Sequence, residues 1–297
     1  MTVTRRDFTL TLAGAATLRA ATPRNLKIGH TCITWGTFPS AAGSATLESA
    51  LKDIGSLGFH GFETFPENLA DWDAKGELQG LIAKYGVPLT SAYIRVNLTD
   101  PAVHKENLAD VTRLAKLVKK YGGRFGALGP NGVKRDTYDF KANRASIISA
   151  LNDCAMAVTD AGLEAGLHQH TGTCIETRDE TYAVMEAANH KYVKFAPDVG
   201  QLQKGGADAA KVIEDLLPQV RHMHLKDYSG GEHFLGYCPL GQGKVNIPRI
   251  LDLVEGAGHP VNVMVELDPS PNQPMTPLET ATISNAYLKK LGYKFRT

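Results

Sequence analysis

The sequence predicts an α/β fold, a (β/α)8 barrel over residues 26–297. Strand-like runs alternate with helix-like stripes at spacings of roughly 30 to 40 residues. The last four runs each end in a side chain that binds metals well. No GxGxxG follows the first run, which argues against a doubly wound dinucleotide fold.

The expected strands, in order, are residues 26–30 (LKIGH), 58–63 (GFHGFE), 87–93 (VPLTSAY) and a weaker 124–129 (RFGALG). Four more follow at 166–170 (GLHQH), 193–198 (VKFAPD), 220–224 (VRHMH) and 261–266 (VNVMVE). Between them lie apolar stripes at helical spacing. Asp100-Pro101 opens one helix, because proline suits the first turn. Leu108, Val111, Ala115 and Val118 continue it, and Gly122-Gly123 stops it. Ile147, Leu151, Ala155 and Val158 form a second stripe before Gly162. Val212, Ile213, Leu216 and Leu217 form a third before Pro218, and Ile250, Leu251 and Val254 a fourth before Gly256. With no low-complexity linker, residues 26–297 read as one domain.

Composition narrows the function classes. With 297 residues, 43% hydrophobic and 21% charged, the chain is an ordinary globular protein with ample core. A formal net charge of +1 leaves no basic stripe for nucleic acid and no polybasic membrane patch. The cysteines, Cys32, Cys154, Cys174 and Cys238, form no CxxC pair, so they read as buried thiols. Residues 1–25 differ from the rest. Arg5-Arg6 precedes a short apolar stretch from Thr11 to Leu18, the pattern of a twin-arginine signal for export to the periplasm. Arg19 and the lack of a small-x-small cleavage site fit that pattern poorly, and a basic N-terminus on a cytoplasmic protein is the alternative. The stretch falls short of the ~20 residues that span a bilayer.

Alternation within a strand puts His168 and His170 on one face, and His222 and His224 on another. In a barrel the last inward residues meet at the catalytic mouth, so His170, Asp198, His224 and Glu266 are expected to converge there, with His168 one layer deeper. Imidazoles mixed with carboxylates suit one borderline divalent ion: Mn (preferred), Co, Zn or Fe, with Mg admitted. Asp198 has a plainer reading as the cap of the turn after its strand. Glu266 is harder to dismiss, because an unpaired carboxylate after an apolar strand is costly to desolvate.

His222-Met223-His224-Leu225-Lys226-Asp227 resembles the HxHLKD segment of the sugar isomerase/epimerase superfamily with the xylose-isomerase-like TIM barrel. Asp198-Val199-Gly200-Gln201 resembles its DxGH segment. The run from Leu240 to Asn246 resembles its GxG turn, and Val263-Met264-Val265-Glu266 its final strand. The likeness covers nearly the whole chain after residue 25 and is not specific to one reaction. It implies Asp198, His224 and Glu266 as metal ligands. Where most members carry a strand-five glutamate, this chain reads His168-Gln169-His170-Thr171-Gly172-Thr173, similar to inosose-dehydratase-like members. Either His168 or His170 would supply that ligand. Gln201 replaces the usual histidine of DxGH.

The expected function is a metal-dependent isomerase or epimerase of a ketose or related polyhydroxy carbonyl compound. The ion would chelate a carbonyl and a neighbouring hydroxyl and stabilise the enediolate left by proton removal. Glu266, His168 or His170 would act as the base, and Lys226 would bind or polarise a substrate oxygen. Without the usual glutamate pair, elimination from an inosose or 3-keto-sugar is the main alternative. A secreted, non-catalytic sugar-binding barrel is another. Glu63, Tyr93, Gln201, His30 and Trp35 are expected to contact substrate. The loop carrying Phe234, Tyr237 and Gln242 is expected to cover the site. An unphosphorylated sugar or polyol is expected, because Lys and Arg do not cluster. A homo-oligomer is compatible with the sequence.

Overall fold

A computed structural model describes residues 24–297. The twin-arginine segment therefore lies outside the described residues. Eight parallel strands alternate with helices: β1 (Ile28–Thr31), β2 (Phe62–Thr64), β3 (Leu89–Val96), β4 (Phe125–Pro130), β5 (Glu164–Leu167), β6 (Val193–Phe195), β7 (His222–Leu225) and, last in the chain, β10 (Asn262–Val265). Their order is β6-β5-β4-β3-β2-β1-β10-β7. Single parallel bridges from Phe195 to Val220 and from Asp198 to His224 join the two ends, so the barrel nearly closes. A short antiparallel pair, β8 (Asp227–Tyr228) and β9 (Tyr237–Cys238), stands over the mouth.

The helices start where the sequence supplies caps. Asp100 accepts from the Ala102 N–H and opens a 3-10 turn that runs into the helix His104–Lys120. Thr177 with Glu180, and Thr276 with Glu279, form reciprocal capping boxes for Arg178–Ala187 and Pro277–Lys290. Three of the apolar stripes are buried, apart from Leu108, which is partly so. In the remaining one, Val212 and Ile213 are buried, whereas Leu216 and Leu217 are only partly so. The cysteines are free and buried. No helix among the described residues is long and apolar enough to cross a membrane.

The barrel interior is narrow and partly polar. Phe125 stacks on His222, with ring centroids 4.9 Å apart, and touches the buried Ala127–Ala196 pair. Above this layer Glu63 accepts a hydrogen bond from Ser91 Oγ at 2.5 Å. Several strands stop earlier than their apolar pattern suggests. His168, Asp198 and Glu266 all follow the last residue of their strand, and only His224 lies within one. Leaving the ladder at the mouth frees those side chains to converge.

Candidate metal centre and active-site cavity

Three side chains near the barrel axis present unused donors to one point. His168 Nδ1 lies 2.9 Å from the Ala196 carbonyl, which fixes the proton on Nδ1 and leaves the Nε2 lone pair free. His224 Nε2 lies 2.5 Å from Glu63 Oε1, which leaves Nδ1 for a second partner. That Nδ1 is buried without a hydrogen-bond partner although Glu266 Oε2 is 3.0 Å away. Asp198 is split between two roles. Its Oδ1 accepts from the Gln201 N–H at 2.9 Å and caps the helix Val199–Lys204, and its buried Oδ2 faces the Lys226 ammonium at 2.9 Å. His168, Asp198 and His224 offer ligand atoms within 4.8 Å of one another. Burial would lower the His224 pKa, but Glu266 and Glu63 hold it well above the ordinary imidazole value, so Nδ1 carries a proton toward Glu266 that a cation bound at this point would replace. Glu63, His222 and His224 form an overlapping group.

Charge supports the same reading. Glu63, Asp198, Glu266 and Asp268 are all buried close together, and the only lysine among them is Lys226. Its ammonium, fully buried, sits 2.6 Å from Glu266 Oε1, 2.9 Å from Asp198 Oδ2 and 3.0 Å from Asp268 Oδ2. Burial would lower its pKa, but Asp198, Asp268 and Glu266 hold it well above the ordinary lysine value. Lys226 and the His224 imidazolium are two cations against these four carboxylates, which leaves negative charge that a bound cation would offset. Burial also pushes the Asp198 carboxyl up. For Glu266 the effect of burial is overcome by His224 and Lys226, which hold it well below the usual range. Burial, then the neighbouring His224, keeps the His168 imidazole neutral.

The two strand-five histidines separate. His170 Nε2 lies 2.7 Å from Gln201 Nε2, and its Nδ1 lies 2.8 Å from the Thr171 carbonyl. Gln201 Oε1 accepts from Thr171 Oγ1, so its amide must donate to His170, and both imidazole nitrogens are occupied. His168, expected one layer deeper, is the one that stands beside Asp198 and His224.

A cavity of about 310 Å³ opens above this group. Glu63, Tyr93, His168, His170, Glu266 and Asp268 line it. Other expected contacts fall elsewhere. His30 points the opposite way to Thr31, away from the cavity. It packs edge-on against Trp35 and Phe59, and burial drops its pKa to about 4. Trp35 donates its indole N–H to Asp53 and does not line the cavity. Gln201 is buried behind His170 and does not line it either. Glu63 reaches the cavity wall, and its two oxygens are engaged by His224, Ser91 and His222, so it orients the imidazoles. Burial would raise its carboxyl, yet the two histidines hold it below the usual range. Asp268 escaped the sequence reading. Its signal was alternation, two residues after Glu266 on the same face.

The HxHLKD and GxG segments meet through Asp227. Its carboxylate accepts the N–H groups of Tyr228, Gly241, Gly243 and Val245 at 2.9 to 3.1 Å. A Cβ on Gly243 would fall 2.1 Å from Asp227 Oδ1, and Gly241 holds φ +85°, so both glycines are required. Of the loop residues expected over the site, Phe234 and Tyr237 are buried, Gln242 is exposed and none lines the cavity; Leu235, between the first two, does.

Residues 51–290 match the family model described as the xylose isomerase-like TIM barrel. The chain belongs to that family. An inosose dehydratase of Mesomycoplasma hyopneumoniae (strain 7448) is 24% identical, over 90% of this chain and 97% of its own length. A xylose isomerase-like TIM barrel protein from Mycobacterium smegmatis, solved in complex with magnesium, superposes with TM-score 0.70 at 20% identity, covering 90% of this chain and 96% of its own. The IolI protein with a bound zinc atom superposes with TM-score 0.71 at 14% identity, covering 90% and 98%. Epimerases share the fold as well. Relatives of this chain thus include inosose dehydratases, and its own His168, Asp198 and His224 form a buried group that could hold a metal ion.

Proposed function

We propose that this barrel is a divalent-metal-dependent lyase that removes water or an alcohol from a polyhydroxy ketone such as an inosose or a 3-keto-sugar. His168, Asp198, His224 and Glu266 would hold the ion, which when bound supplies Lewis-acid polarisation of the substrate carbonyl. The observation that carries the choice of reaction is the tautomer of His168. With Nδ1–H on the Ala196 carbonyl and only Nε2 free for the ion, it has no site left to carry a proton. A symmetric exchange between two facing carboxylates is therefore not supported, which moves elimination ahead of the isomerisation or epimerisation that the sequence alone put first.

The step is balanced within the cavity. Glu266 takes the proton from the carbon beside the carbonyl. That C–H pair becomes a C=C bond, the C–O bond one carbon further on breaks, and the departing oxygen takes a proton. We assign that return to Glu266 itself, which carries the abstracted proton, because both His170 nitrogens are bonded and Lys226 holds the Asp268 carboxylate. Lys226 stays protonated and fixes Asp198, Glu266 and Asp268, so its part is positioning rather than proton transfer. The inosose dehydratase relatives, similar over nearly their full length, support the reading.

Incubation of the metal-loaded protein with inososes and 3-keto-glucosides tests it. Growth of ultraviolet absorbance from an unsaturated ketone is expected, and Glu266→Gln should abolish it. An isomerised ketose with solvent deuterium and no unsaturated product would return the reading to isomerisation. We also propose export through the twin-arginine segment, which rests on Arg5-Arg6 and the short apolar run alone. Replacing both arginines by lysine should leave the protein in the cytoplasm on cell fractionation.

A further inference from the structure

The outer half of the cavity does not match its floor. Ile33, Phe38, Phe65, Leu235 and Pro269 line it, above a floor of buried charge. Phe38 is 47% exposed and Leu235 57%, and they are two of the four large apolar side chains most open to solvent among the described residues. Both stand at the same opening. Exposed apolar side chains scattered singly need no explanation, but a cluster on a cavity rim marks a contact surface.

The backbone places Leu235 there under strain. Phe234 and Leu235 hold φ of 51° and 59°, in the left-handed region that disfavours residues with a Cβ. The turn is pinned on both sides. Phe234 is buried against Tyr237 and Leu267, and its N–H donates to Ser270 Oγ at 3.0 Å. Lys204 Nζ donates to the Leu235 carbonyl at 3.0 Å. The tether holds the Leu235 side chain at the cavity in place of letting it fold under the loop.

A bare sugar carries hydroxyl groups around its whole edge and would leave this apolar rim uncovered and facing water. Arg95, the one cation on the rim, already pairs with Glu67 at 2.8 Å. We infer that the substrate is a keto-sugar bearing an apolar, ring-sized substituent, an aromatic one foremost, with its polyol end on the charged floor and that substituent between Phe38, Phe65 and Leu235. This rests on the site proposed above and names its substrate class.

Binding tests it without any turnover, so a failure of the elimination chemistry stays separate. Calorimetry on the metal-loaded chain should find phenyl β-D-glucoside bound at least about tenfold more tightly than methyl β-D-glucoside, since ring burial alone accounts for that much. The pair Phe38→Ser and Leu235→Asn should erase the preference, bringing the phenyl compound down to the affinity of the methyl compound. Asparagine tolerates the left-handed backbone, and both positions are exposed, so the fold is kept. Equal affinities, no binding of the phenyl compound at millimolar concentration, or a preference that survives the double substitution would overturn the inference. So would light scattering showing a wild-type oligomer that the double variant dissolves, because the rim would then be a contact between copies.

Discussion

His168 and His170 sit two residues apart on one face of the chain, yet their imidazoles are committed differently. His168 donates Nδ1–H to the Ala196 carbonyl and keeps Nε2 free, whereas His170 has both nitrogens occupied by Gln201 and Thr171. His168→Ala should therefore lower affinity for the divalent ion by at least about a hundredfold, a larger loss than outer-partner substitutions cause. His170→Ala should keep a one-to-one stoichiometry; metal titration by calorimetry with elemental analysis distinguishes the two. Lys226 is the other residue whose role is set by its surroundings. Lys226→Met removes the ammonium from three buried carboxylates, and breaking such a group costs about 3–5 kcal/mol. Denaturation of the metal-free protein should show that loss, and added divalent ion should restore part of it. The ligand types at this scale were legible, because Asp198, His224 and Glu266 end apolar runs. Tautomers were not, since they depend on partners such as Glu63, which lies 161 positions from His224.

At the level of elements, alternation predicted the strands well and their ends less well. Runs 166–170 and 193–198 read as continuous strands, yet pairing ceases at Leu167 and Phe195. Apolar pattern reports burial, and the residues beyond the ladder are buried by the mouth and not by pairing. His30 shows the converse. Its position at the end of a strand suggested a site residue, but the pleat turns it outward and Thr31 inward. The loop from β8 to the helix Ile247–Glu255 depends on Asp227, whose carboxylate gathers four backbone N–H groups. Asp227→Ala should destabilise the protein by about 3 kcal/mol or more, because each orphaned N–H costs on the order of 1 kcal/mol. Urea denaturation gives the figure, and an unchanged midpoint would show that the loop holds without it.

For the whole molecule, a barrel that gathers Glu63, Asp198, Glu266 and Asp268 around its axis carries a repulsion that a bound cation relieves. At a concentration 100 times its dissociation constant, a divalent ion should add about 2.7 kcal/mol of stability. For a domain of this size that corresponds to a rise of about 5–10 °C in Tm, reversed by a chelator; calorimetric melting with and without the chelator measures it. By itself the sequence determined the barrel and three of the four candidate ligands, because both are written locally, as apolar periodicity and as polar residues at strand ends. It also flagged the strand-five histidines as the departure that bears on the reaction. Only the tertiary structure set His168 beside Asp198 and His224 and His170 against Gln201, turned Glu63 and Lys226 into fixed partners, moved His30 and Trp35 away from the cavity and placed Leu235 on its rim. Those outcomes depend on which atoms meet across the barrel, at separations in sequence that no local pattern encodes.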